Sequence, residues 1–171
     1  ILASEMGILL PKVRLKDKLS LPETVYEIQI AGNVVARGEA SPGRLLAIDV
    51  GRCTGVVNGI ETREPAAGRP AVWITSDQKL SAEMFGYQIA SASMVIATHL
   101  QETARKFADE LLTRESAKQL VDQLKSVSPT VVDELIPGTM KLADVQSVLQ
   151  MLLREDIPIR QLATIFEALG D

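Results

Sequence analysis

The hydrophobic pattern of this chain changes period along its length. In "TVYEIQIAGNVVARGEA" (24–40) apolar and polar positions alternate. Tyr26, Ile28 and Ile30 fall on one face, Glu27 and Gln29 on the other, which is the two-residue period of a half-buried strand. Gly32-Asn33 supplies a tight turn and "VVARGEA" returns, so a hairpin is expected. "SPGR" (41–44) is turn chemistry, with Pro42 fixing φ and Gly43 permitting a positive one. The runs "LLAIDV" (45–50), "AVWIT" (71–75) and "YQIA" (87–90) read as further short strands. Between them, Gly51, Gly55, Gly59 and Gly68 with Pro65 and Pro70 mark a loop-rich, partly strand-forming segment. Ser76 is placed to cap a short helix, "DQKLSAEMF", which Gly86 ends.

Beyond residue 90 the period is helical. From a cap at Ser93, Ile96, Leu100, Ala104, Phe107 and Leu111 recur at spacings of three and four and make one apolar stripe. Glu102–Lys106 and Glu110–Arg114 are spaced to pair across one turn on the solvent side. After Thr113, "RESAKQLVDQLKSV", "PTVVDELI", "ADVQSVLQMLLRED" and "PIRQLATIFEAL" are short amphipathic helices, separated at Ser128-Pro129, Pro137-Gly138 and Ile157-Pro158. The chain thus reads as α+β to about residue 112 and all-helical after it. "ILASEMGILLP" at the start reads as the end of a helix, and both termini read as interior to a longer protein.

Composition narrows the function classes. At 171 residues, 46% hydrophobic and only 4% aromatic, the chain can bury a core that must be mostly aliphatic. No apolar run approaches the roughly 18–20 residues of a membrane helix, so a soluble piece is expected. The net charge of −4 gives no electrostatic reason to expect nucleic acid or an anionic membrane surface as partner. Cys53 is the single cysteine and His99 the single histidine. That excludes an intrachain disulfide and a structural zinc site.

The candidate chemistry is thin. His99 has Glu102 one turn away, the pairing a helix-surface histidine commonly finds, and no nucleophile that a general base would serve. Cys53 in "VGRCTGVV" lacks a CxxC partner or a nucleophile motif. "GRCTGVVNG" lacks the Gly-Lys-Ser/Thr ending of a phosphate loop, and "AGNVVARGEASPG" does not match GxGxxG. The carboxylates of "REDI" and "VVDELI" sit at solvated helix ends. "LADVQSVLQMLLREDIPIRQLATIFEAL" (142–169) has the outline of a helix-turn-helix, but residues 113–171 carry six Lys/Arg against nine Asp/Glu, a balance opposite to what phosphate binding needs. The residues favour a scaffold or docking module over an enzyme, with no cofactor and no metal.

Five strings in order, "LPETVYEIQIAGNVVARGEASPGRLLAID", "TREPAAGRPAVWI", "GYQIASASMVIATHLQE", "ADELLTRESAKQLVDQLK" and "VQSVLQMLLREDIPIRQLATIFEALGD", resemble the cytosolic domain of the type III secretion export-gate membrane protein family (FlhA/SctV family). The match covers nearly the whole chain. "VIATHL" and "DELIPG" look like the flagellar, FlhA-type branch rather than the injectisome branch, in which the same role would be served. The resemblance implies a split α+β subdomain (1–42 and 92–112, truncated at its start), a small inserted β-rich subdomain (43–91) and a helical third subdomain (113–171). A fourth subdomain and an N-terminal membrane bundle would lie outside this chain. It implies a place at the cytoplasmic face of the bacterial inner membrane and no enzymatic activity. The partners implied are export chaperone–substrate complexes, the export ATPase complex and further copies of the same protein in a ring, nonameric in the full protein; nucleic acid is not among them. The family's chaperone site, an Asp-Pro-x-Phe-Gly stretch with the threonine of Ala-Thr-His-Leu, maps onto Glu64, Pro65, Ala67, Gly68 and Thr98. Glu64 replaces the pattern's aspartate and Ala67 its phenylalanine.

Overall fold

The computed structural model describes residues 5–171. It is an α+β fold that separates into two compact units, one of Lys16–Thr103 and one of the described residues up to Leu15 with Ala104–Asp171.

The first unit is the mixed one. Strands β1 (Val25–Ile30) and β2 (Asn33–Glu39) form the expected antiparallel hairpin. Its two loop residues are Ala31 and Gly32, with φ of 50° and 82°. Both lie in the left-handed region, as a two-residue hairpin turn that matches strand twist requires. The turn therefore falls one residue earlier than Gly32-Asn33, and Asn33 already pairs with Ile30. A bulge between Ile28 and Gln29 restores the inward set, so that Tyr26 faces Gly38 and Glu27 faces Arg37. Glu27 holds Arg37 at 2.6 Å and Lys18 at 2.7 Å, an opposite-charge cross-strand pair on the polar face.

Strands β3 (Leu45–Ile48), β4 (Ile60–Arg63), β5 (Pro70–Ile74) and β6 (Gln88–Ser91) form an antiparallel sheet in the order β4-β5-β3-β6. The central strand β3 reads as an unbroken apolar run because both its faces are covered. Leu46 and Ile48 join Ala71, Trp73 and Ala90 in one cluster with Tyr26, Ala40, Val95 and Ile96. Ala47 joins Ile74, Val57 and Ala82 in another on the opposite face. Ala82 belongs to helix α1 (Lys79–Met84), which follows a 3-10 turn at Ser76–Gln78. The Gln78 side chain accepts from the Thr75 backbone N–H at 3.1 Å and the Thr75 hydroxyl at 3.0 Å. Thr75, not Ser76, is the capping residue.

Helix α2 (Ala92–Lys106) follows β6 directly. Its cap is Ser91, whose Oγ accepts from the Met94 N–H at 3.2 Å, rather than Ser93. The buried positions are Val95, His99 and Thr103. The buried stripe is thus rotated by one residue from Ile96 and Leu100, which lie half-buried on its flank.

The second unit is helical. Phe107 departs from helical geometry, and α3 (Ala108–Leu111), α4 (Arg114–Val127), α5 (Pro129–Leu135), α6 (Leu142–Arg154) and α7 (Leu162–Gly170) follow. The Thr113 Oγ1 accepts from the Ser116 N–H and the Ser116 Oγ from the Thr113 N–H, at 3.2 and 3.0 Å, which fixes the start of α4. Pro129 opens α5 at the first helical position, as expected. Helix α7 begins past Pro158 because Ile159 is drawn alongside Met6, its N–H donating to the Met6 carbonyl at 2.8 Å. The core is aliphatic around Phe166, with Leu112, Leu135, Leu149 and Ile159 among its fully buried members. Among the described residues, neither Glu102–Lys106 nor Glu110–Arg114 closes as an ion pair. The helix break at Leu112 and Thr113 puts Glu110 and Arg114 on different helices. Arg154–Asp109 at 2.8 Å and Lys125–Asp133 at 2.7 Å form instead.

Candidate docking site

The stretch "EPAAGR" (64–69) is the loop that joins β4 to β5. Glu64 donates its N–H to the Arg69 carbonyl at 2.8 Å and accepts at its own carbonyl from the Gly68 N–H at 2.8 Å. Its carboxylate turns inward. One oxygen accepts from the Ala66 N–H at 2.6 Å and the other from the Ala67 N–H at 2.9 Å. Glu64 is 7% exposed. Burying a carboxylate is costly unless hydrogen bonds meet it, and here backbone donors meet both oxygens. Outside the loop, the Arg63 guanidinium donates to the Gly68 carbonyl at 2.9 Å. Gly68 takes φ 70°. Pro65 and Ala66 are half-buried, while Ala67 and Gly68 are exposed. The loop therefore offers a small apolar surface, not a free negative charge.

The same unit holds a pair of side chains that their places in the sequence do not suggest. Tyr26 on β1 stands opposite Gly38, and a Cβ at position 38 would collide with the Tyr26 ring. The ring folds over the gap glycine leaves. Its hydroxyl lies 2.8 Å from His99 Nδ1, and the two rings meet edge to face at 69° with centroids 5.6 Å apart. His99 is 7% exposed. It is not the surface histidine paired with Glu102 that its helical spacing suggests. Burial lowers the His99 pKa, and the charge of Glu64 works against that shift. The Tyr26 hydroxyl is pushed up to about 12, by burial first and by Glu64 second. At neutral pH both groups are uncharged. The Thr103 hydroxyl donates to the His99 carbonyl at 2.7 Å.

Thr98, the remaining expected site residue, is exposed next to His99 on α2, with Met94 exposed one turn earlier. The structure thus places all five expected residues in one unit and makes Glu64 the structural member. Among the described residues, Thr98 makes no hydrogen bond to the loop. Cys53 has its thiol pushed up by burial and then by Asp49, the direction opposite to activation. Among the described residues there is no group of His, Cys, Asp and Glu arranged for a metal ion, and no helix is long and apolar enough to cross a membrane.

Comparison with known proteins places the chain. The flagellar biosynthesis protein FlhA of Bacillus subtilis is 41% identical over 170 residues, 99% of this chain and 25% of that protein. FlhA of Escherichia coli is 40% identical over 169 residues, 99% of this chain and 24% of that protein. The chain spans about a quarter of the length of these relatives. Among solved structures, the Chlamydia pneumoniae CdsV protein superposes with a TM-score of 0.83 at 26% identity, over 99% of this chain and 50% of that one. CdsV in its complex with CdsO matches with a TM-score of 0.82 at 27% identity, over 99% of this chain and 52% of that one. The model of the FHIPEP family matches residues 1–171. The chain belongs to the FHIPEP family.

Proposed function

We propose that this chain is part of the cytosolic docking platform of a flagellar type III protein export gate and binds export chaperone–substrate complexes without catalysing a reaction. The observation that carries the reading is that the β4–β5 loop and α2 belong to one unit, with Glu64 of the loop close enough for its charge to act on His99, the neighbour of Thr98. A loop tied down by its own hydrogen bonds, with Ala67 and Gly68 exposed, offers the kind of shallow surface that protein docking uses. Glu64, Pro65, Ala67, Gly68 and Thr98 are its proposed residues. The relatives at about 40% identity, named as flagellar biosynthesis proteins, support the flagellar branch. The same role in an injectisome is the second reading, favoured by the close superposition on CdsV. The division into subdomains 1–42 with 92–112, 43–91 and 113–171 belongs to this proposal. So do a place at the cytoplasmic face of the inner membrane, assembly into a ring, and an export ATPase complex as partner. The solved CdsV–CdsO complex supports a further protein partner in this family.

The test is titration of a flagellar export chaperone–cargo complex against the wild type, Thr98→Met and Ala67→Phe. Docking surfaces draw most of their affinity from a few buried anchors, commonly aromatic. Ala67→Phe therefore strengthens binding, and Thr98→Met, which fills the site, weakens it tenfold or more. If Thr98→Met binds as the wild type does, the docking surface lies elsewhere.

A further inference from the structure

Helix α1 presents its large apolar side chains away from the core. Each helical residue turns the side-chain direction by about 100°, so Leu80 and Met84 stack one turn apart and Ala82 points the opposite way. Ala82 is fully buried in the cluster of Ala47, Val57 and Ile74, while Leu80 and Met84 are 68% and 76% exposed. The loop between β3 and β4 extends this outer face. The Thr54 N–H donates to the Phe85 carbonyl at 2.9 Å, and a Cβ at Gly55 would collide with the Phe85 ring. Glycine lets that ring lie on the loop, whose next residue, Val56, is 84% exposed. We infer that this patch is a self-association surface, on which α1 packs antiparallel against α1 of a second copy about a two-fold axis.

The patch is complementary to itself. Lys79 and Glu83 lie on one flank of the Leu80–Met84 ridge, Ser81 and Phe85 on the other. In an antiparallel two-fold pair each flank lies beside its own copy, with the helix direction reversed. Lys79 then faces the partner's Glu83, Glu83 faces the partner's Lys79, and the two Phe85 rings share the apolar flank. A parallel two-fold pair would lay the charged flank against the apolar one. Within one chain Lys79 and Glu83 are only loosely joined, at 3.9 Å with both side chains about half exposed, so they are free to pair across the axis. One acid and one base around an apolar ridge do not select a strongly charged partner.

The size of the patch sets the strength of the contact. The largest apolar patch on a monomer covers roughly 300–600 Å². A standard interface takes about 800 Å² from each partner, so this pairing belongs to the weak, transient class. A two-fold contact closes after two copies and is separate from the ring proposed above. None of the five proposed docking residues takes part in it.

Sedimentation velocity of the 171-residue chain over a concentration series reads the pairing. The wild type passes from monomer to dimer with a dissociation constant on the order of 100 μM. Leu80→Gln combined with Met84→Gln weakens the dimer about tenfold or more. Both side chains face solvent, so the urea midpoint stays at the wild-type value, which separates lost pairing from lost folding. Lys79→Glu and Glu83→Lys each weaken the dimer about threefold, and the two together restore it, because the ion pairs re-form with their signs exchanged. A chain that stays monomeric throughout overturns the proposal, as does a dimer that survives the change at Leu80 and Met84. Failure of the double charge exchange to restore pairing overturns the antiparallel two-fold. A monomeric chain whose α1 amides are protected by a chaperone–cargo complex would assign the patch to that partner instead. The series contains no chaperone, so its outcome is independent of the docking reading.

Discussion

At position 99 a single imidazole sits in a place where its charged form is disfavoured. Burial holds the His99 pKa below its ordinary value of 6.5, with Glu64 opposing. The folded protein then binds fewer protons at this site than the unfolded chain between that depressed pKa and 6.5, so stability rises with pH through this window. Above 6.5 the histidine is neutral in both states and contributes no slope. Acidification from pH 7 therefore destabilises the mixed unit progressively below about 6.5. His99→Gln, which keeps a hydrogen-bonding side chain but cannot titrate, flattens that part of the curve. Urea midpoints measured from pH 7.5 to pH 5 check this, and a His99→Gln curve parallel to the wild type would remove His99 as the source. The side chain's position was not legible in sequence. The helical spacing of Ile96, Leu100 and Ala104 set the inward face one residue off, because the face is filled by Val95, by a histidine satisfied through Tyr26, and by a threonine satisfied by the backbone. Polar residues that bury with their partners carry no hydrophobic signal.

Among the elements, the hairpin and the β4–β5 loop differ in how much of them a reader of the sequence could recover. The alternation of Tyr26, Ile28 and Ile30 gives both strands. A turn at Gly32-Asn33 would have placed Tyr26 opposite Glu39. The turn at Ala31-Gly32 and the bulge put it opposite Gly38, and only that register shows why a glycine stands there. Helix α4 was legible to its ends and α5 at its start, which Pro129 marks, though α5 stops at Leu135, one residue short of the expected Ile136. The loop at 64–69 was legible as turn chemistry, but not the inward turn of Glu64, since a glutamate in a Gly/Pro-rich loop reads as solvated. That geometry yields an element-scale expectation. Glu64→Ala leaves the Ala66 and Ala67 amides without their acceptors and costs about 1–3 kcal/mol, the usual penalty for orphaning partly buried donors. Chemical denaturation gives the number. Glu64→Asp, with one methylene less, reaches the amides less well and falls between the two. A Glu64→Ala variant as stable as the wild type would mean that the loop is held by its backbone bonds alone.

For the molecule as a whole, the class was legible in the change of hydrophobic period, from two to 3.6, and in the scarcity of aromatics, which leaves Phe166 at the centre of an aliphatic helical core. Where the packing divides was not. The boundary between the two compact units falls inside α2, between Thr103 and Ala104, and a helix that continues through a boundary shows no break in its periodicity. Membership of the FHIPEP family rests on the full length of the chain, and the docking role is proposed for the mixed unit. The measurement that tests this most directly is the footprint of a flagellar export chaperone–cargo complex on the isotope-labelled 171-residue chain, mapped amide by amide. The account predicts that the largest perturbations fall on residues 64–68 and on the α2 face at Met94 and Thr98, with the helices of the second unit unaffected. A footprint confined to α4 through α7 would contradict it.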